Sequence, residues 1–129
     1  MRQVYRIGKT FTFEAAHHLP SLPRTHKCSR PHGHSYRVEI TVTAAELTSP
    51  GFVADFADLM PLRDYLAGTL DHQDLNQVLD VEPTSENLAR HLHGWCQDTL
   101  VLPGTARVEA VRVSETGSAW AEYLPGAAP

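Results

Sequence analysis

The sequence predicts an α+β fold, a four-stranded antiparallel sheet with two helices on one face, in the chain order ββααββ. Three observations predict it. Two long early segments alternate apolar and polar residues with a period of two, the middle of the chain repeats its apolar residues every three or four positions, and alternation resumes after Pro103-Gly104. A chain of 129 residues fits one domain, residues 1–129, and hides roughly two-thirds of its unfolded surface.

In the first strand Tyr5, Ile7, Phe11, Phe13, Ala15 and His17 share one side, while Arg6, Thr10, Thr12 and Glu14 take the other. From His18 to Pro31 the chain is polar and carries Pro20, Pro23 and Pro31, so it reads as a long loop of the kind that is often functional. The second strand sets His34, Tyr36, Val38, Ile40 and Val42 against Ser35, Arg37, Glu39, Thr41 and Thr43. After Ser49-Pro50-Gly51, residues Phe56, Leu59, Leu62 or Arg63, Leu66 and Leu70 recur at helical spacing, with Asp55 or Asp58 as N-cap and Pro61 tolerable near the first turn. Thr84 caps the second helix, Glu86 sits in its first turn, and Leu88, Leu92, Trp95 or Cys96, and Leu100 form its buried stripe. A third strand is expected over 107–116 and a fourth over 118–124, with the tail 125–129 frayed.

Eleven Lys and Arg against fifteen Asp and Glu leave a net charge of −4, which argues against a nucleic-acid footprint over the whole surface. Two cysteines do not make a disulfide framework. No apolar run approaches the roughly 20 residues that span a membrane, and the first residues lack an apolar signal core. A cytoplasmic protein with reduced thiols is expected.

Eight histidines occur, four of them in two His-x-His pairs. On a strand, residues two apart point the same way about 6.6 Å apart, so His32 and His34 can converge on one ion. On a helix two steps turn the chain by about 200°, so His91 and His93 diverge and are expected on the surface or a helix flank. His17 closes the first strand on the parity of Phe13 and Ala15, and pairing of the two strands brings His17, His32 and His34 to one end of the sheet. Three neutral imidazoles are the ligand set of a catalytic zinc, with a fourth position for water or substrate. Gly33 between them permits a bulge or a close approach.

Cys28 leaves two arrangements open. It can close a structural site of four protein ligands with the three histidines, or act as a base or nucleophile beside an open metal. Arg24, His26, Lys27 and Arg30 surround it, a cluster that can lower a thiol pKa, hold a phosphate chain, or simply be a solvated loop. In Leu70-Asp71-His72 the carboxylate can fix the tautomer of the histidine. Glu115 follows the parity of Val111 and Val113, and a carboxylate that faces inward needs a donor.

Taken in order, Phe13-Glu-Ala-Ala-His17, Cys28-x-x-x-His32-Gly-His34, Leu70-Asp71-His72, Pro83-Thr84-Ser85-Glu86 and Val113-Ser114-Glu115-Thr116 resemble the 6-pyruvoyltetrahydropterin synthase superfamily. Their spacing is most similar to its bacterial 6-carboxytetrahydropterin synthase branch, of the queuosine pathway. The resemblance covers nearly the whole chain. Departures are few: His18 stands where a longer basic residue is common, and Ser114 where a larger residue often precedes the Glu-Thr pair.

The resemblance implies the tunnelling fold, assembled as a trimeric barrel and usually a hexamer. It implies zinc on His17, His32 and His34, proton transfer by Cys28, Asp71 with His72 as its partner pair, and Glu115 as the anchor of the pterin. The implied substrate is 7,8-dihydroneopterin triphosphate and the implied products are 6-carboxytetrahydropterin, acetaldehyde and triphosphate. A pyruvoyl-forming synthase is the alternative within enzymes. A binding module with a structural zinc held by Cys28 and the three histidines is the alternative outside them.

Overall fold

The computed structural model describes residues 3–126. Strand β1 (Tyr5–His17) and strand β2 (His32–Ala44) form one antiparallel ladder along their whole lengths, from Tyr5 opposite Ala44 to His17 opposite His32. Both match the expected boundaries, because side-chain alternation and the prolines of the connecting loop are both local signals. Strand β4 (Arg107–Ser114) pairs with β2, and β5 (Trp120–Tyr123) pairs with β4. These two strands end earlier than expected, at Ser114 and Tyr123. A bulge opposite Thr41 and Val42 sets Glu109 out of register, and Glu109 pairs with Arg6 at 2.6 Å.

The sheet has five strands rather than four, and it is mixed rather than purely antiparallel. A two-residue strand β3 (Gln73–Asp74) lies parallel to Ala15 and Ala16 of β1, giving the order β3-β1-β2-β4-β5. Two residues carry no period, which is why alternation could not announce it.

The expected first helix is composite. Asp55 and Asp58 form a capping box on a 3-10 turn Phe56–Leu59, which continues as α1 (Met60–Tyr65) and a π-helical turn Leu66–Leu70. Phe56 stays 51% exposed, whereas Leu59, Leu62, Leu66 and Leu70 are buried. A short helix α2 (Leu75–Val78) follows, then α3 (Ser85–Thr99), capped by Thr84 through the Asn87 N–H at 3.1 Å.

The leucines pack with Leu75, Leu88, Leu92 and Cys96 against Phe11, Phe13, Tyr36, Val38, Ile40, Val111 and Val113, one face of β1, β2 and β4. The opposite face shows Thr10, Thr12, Glu14, Ser35 and Arg37 to solvent. The helices therefore cover one face, as expected. Among the described residues no helix is long and apolar enough to cross a membrane. Of the tail 125–129, residues 127–129 lie outside the described residues.

Candidate metal centre and adjoining recesses

His17 and His32 face each other across the last pair of the β1–β2 ladder, and His34 follows two residues on along the same face. Their ring centroids lie 4.6 to 5.0 Å apart. One nitrogen from each falls within 4.8 Å of the others. His17 is buried and the other two are half-buried.

The outer nitrogens fix the tautomers. His17 Nδ1 lies 2.7 Å from the Pro83 carbonyl, and His32 Nδ1 lies 2.7 Å from the Arg30 carbonyl. A carbonyl oxygen only accepts, so both Nδ1 atoms carry the proton and both Nε2 atoms present lone pairs. Those two Nε2 atoms stand 3.0 Å apart. Two neutral rings so arranged have no proton to share and repel, and a cation between them removes the conflict. Tetrahedral zinc with Zn–N of about 2.05 Å sets its nitrogens about 3.3 Å apart, close to this spacing. His34 Nε2 is buried with no hydrogen-bond partner among the described residues. Burial, and then the neighbouring His17 and His32, hold the proton affinity of His34 down against the opposing charge of Glu115. The set fits a divalent cation, with carbonyls orienting two of the three ligands from behind.

Cys28 Sγ is not among these ligand atoms. The thiol sits half-buried in a short 3-10 turn Lys27–Ser29, whose ends are set by His26 and Arg30. Arg24, His26, Lys27 and Arg30 stand exposed around it. Gly33 produces neither a bulge nor a forced approach: the ladder is regular there, and a Cβ would meet only the Ala15 carbonyl at an ordinary 3.7 Å.

Glu115, one residue past the end of β4, brings its carboxylate to 3.8 Å from His34 Nε2 and 4.0 Å from His17 Nε2. Sequence parity put it on the right face but could not show that it ends beside the histidines. It also lines a recess of about 380 Å³ with Leu19, Thr84, Ser85, Ala119 and Trp120. Trp120 gives this recess an aromatic wall that no motif pointed to.

Asp71 and His72 leave the π-helical turn at the edge of β1. The Asp71 carboxylate accepts the Glu14 N–H at 2.8 Å and lies 2.9 Å from His72 Nδ1. Those two contacts hold it below the usual carboxylate range. His72 has φ of +60°, a left-handed conformation costly outside glycine, and it stays largely exposed. With His34, Glu14 and Ser35 it lines a second recess of about 530 Å³. One recess thus joins His72 to His34, and the Glu115 carboxylate reaches the histidine cluster directly while also lining a separate recess, whereas Cys28 lines neither.

Two residues went unread in the sequence. Tyr36 stacks on Phe13 at 4.9 Å and meets His17 and His34 edge-on, and its buried hydroxyl has no partner among the described residues. Burial and the charge of Glu115 push its pKa up, so it stays protonated. Asn76 brackets the backbone of His18, accepting its N–H and donating to its carbonyl, and so pins the end of β1. The His91–His93 pair does diverge: His91 stays half-buried on a helix flank, as expected, whereas His93 turns inward. His93 is 2% exposed against Tyr123, and His91 Nε2 lies 2.7 Å from the Tyr65 hydroxyl.

Residues 6–125 match the family model described as 6-pyruvoyl tetrahydropterin synthase. A 6-carboxy-5,6,7,8-tetrahydropterin synthase of Synechocystis is 39% identical over 92% of each chain. A putative enzyme of the same name from Archaeoglobus fulgidus is 34% identical over 95% of this chain and 97% of its own. The solved 6-pyruvoyl tetrahydropterin synthase of Caenorhabditis elegans superposes with a TM-score of 0.82 over 96% of this chain and 97% of its own, at 22% identity, a likeness of fold.

Proposed function

We propose that this chain, which belongs to the 6-pyruvoyl tetrahydropterin synthase family, is a zinc-dependent 6-carboxy-5,6,7,8-tetrahydropterin synthase of the queuosine pathway. It takes 7,8-dihydroneopterin triphosphate to 6-carboxytetrahydropterin, acetaldehyde and triphosphate. The observation that carries the reading is the pair of bare Nε2 atoms of His17 and His32 facing each other at 3.0 Å beside a His34 Nε2 that has no hydrogen-bond partner among the described residues.

His17, His32 and His34 would hold the zinc through Nε2. Bound there, the metal would polarise the hydroxyls of the substrate side chain and lower the cost of enolate charge. Glu115 accepts the paired N–H groups of the pterin edge, the two-acceptor geometry that a carboxylate offers. Trp120 closes the same recess as an aromatic wall. Cys28, as thiolate, removes a proton from side-chain carbon. His72, held by Asp71 through Nδ1, exchanges the proton at Nε2. Arg24, Lys27 and Arg30 form the cationic loop that meets the triphosphate.

The assembly we propose is a trimer or a hexamer of two rings. Outside Ala15 and Ala16, the outer edge of β1 pairs with no strand among the described residues. A long open edge is what a neighbouring copy covers in a closed barrel. The whole chain acts as one domain, and its two free thiols, Cys28 and Cys96, suit the cytoplasm.

The reading is tested with Cys28→Ala. The enzyme account expects one zinc per chain and an unchanged fold, with turnover of 7,8-dihydroneopterin triphosphate down by a factor of 10² or more. Loss of zinc and unfolding would instead support a structural site closed by the cysteine.

A further inference from the structure

Cys28 is clamped at both of its main-chain polar groups, the N–H and the carbonyl. His26 is the N-cap of the turn, with φ −80° and ψ +129°, and its Nδ1 accepts the Cys28 N–H at 3.0 Å. The Cys28 carbonyl accepts the Leu19 N–H at 2.8 Å. Ser29 adds two bonds to the His26 carbonyl, from its N–H at 3.0 Å and its hydroxyl at 2.8 Å. Leu19 lies two residues beyond His17, so the second clamp ties the turn to the end of β1.

A histidine is an uncommon choice for this contact. The caps at Asp55 and Asp74 make the same bond, side chain to the N–H two residues on, with carboxylates. At position 26 a carboxylate would add a negative charge two residues from the thiol and oppose thiolate formation. An imidazole whose Nδ1 accepts is neutral, with its proton on Nε2, and supplies the acceptor without that charge.

We infer that His26 is a positioning residue for Cys28: as a neutral cap acceptor it fixes the peptide that presents the thiol. This rests on the reading of Cys28 as the proton-transfer group. His26 touches neither metal nor substrate in this account, so its loss acts mainly on kcat, with a smaller effect on KM through Lys27 and Arg30 of the same turn. Loss of an N-cap acceptor, worth about 1–1.4 kcal/mol, lowers the equilibrium constant for the competent turn about five- to tenfold.

The test compares His26→Leu, His26→Asn and His26→Asp as zinc-loaded enzymes acting on 7,8-dihydroneopterin triphosphate, with Cys28→Ala beside them. His26→Leu should lower kcat about five- to tenfold, with KM changing by less than kcat does, and should expose the Cys28 amide to faster hydrogen exchange. His26→Asn, a neutral acceptor of similar reach, should restore kcat to within about threefold and slow the exchange again. His26→Asp should slow the exchange too, yet shift the acidic limb of the kcat profile to higher pH. Wild-type kcat in His26→Leu, or no rescue by His26→Asn, overturns the inference. If Cys28→Ala itself turns over normally, the reading of Cys28 has failed, and with it the premise.

Discussion

Replacing Glu115 by Gln separates the proposed pterin site from the proposed metal site, because this side chain lines a recess and borders the three histidines. The carboxylate lies 3.8 and 4.0 Å from the Nε2 atoms of His34 and His17, beyond the roughly 2.0–2.2 Å of a zinc–carboxylate bond. Its charge is one of the influences that raise the proton affinity of His34. Removing it leaves His34 more readily neutral, the form that binds metal. Zinc should therefore stay at one per chain. Toward a pterin the outcome differs. The amide keeps one acceptor and turns the other into a donor that faces a ring N–H, which forfeits one charge-assisted hydrogen bond and sets two donors against each other. At about 2–3 kcal/mol, binding weakens about 30- to 150-fold. The assay is a fluorescence titration with 7,8-dihydroneopterin on samples whose zinc is measured in parallel. Affinity within twofold of wild type would remove Glu115 from the pterin site, and loss of zinc would make it a ligand.

Further outcomes follow from other side chains. Burial pushes the Cys96 thiol up to about 12 while Cys28 is half-buried, so a thiol reagent at pH 8 should label one cysteine in the native protein and two after denaturation. Tyr36→Phe removes a buried hydroxyl that has no partner among the described residues, so the thermal midpoint should hold or rise, by up to about 4 °C for about 1 kcal/mol; a clear fall would show that the hydroxyl is satisfied in solution. Asp71 is held below its ordinary value of 3.8, so its contribution to stability is complete above that pH and is lost as pH falls through the lowered folded value. The gap in denaturant midpoint between wild type and Asp71→Asn should therefore narrow below pH 3.8, and a gap that does not change with pH would contradict the contacts seen at Asp71.

The strands and their histidines were legible because both depend on parity. Once β1 and β2 pair, the positions of His17, His32 and His34 follow from counting along the two strands. Asp55 and Thr84 were legible as caps because capping is a contact within three residues. The composite first helix was not, since the leucines that bury its face repeat identically through 3-10, α and π turns while the backbone changes pitch beneath them. Strand β3 and the placement of Glu115 depend on partners 58 or more residues away, and the inward turn of His93 on packing. The Pro83 carbonyl is the clearest case. Pro83-Thr84 reads locally as a helix start, yet its tertiary role is to fix the tautomer of His17, 66 residues away.

The most direct measurement of the central claim is product analysis of the zinc-loaded protein with 7,8-dihydroneopterin triphosphate. The account predicts equal amounts of 6-carboxytetrahydropterin and acetaldehyde, with triphosphate released. A 6-pyruvoyl product without acetaldehyde would contradict it and make the chain a pyruvoyl-forming synthase of the same family.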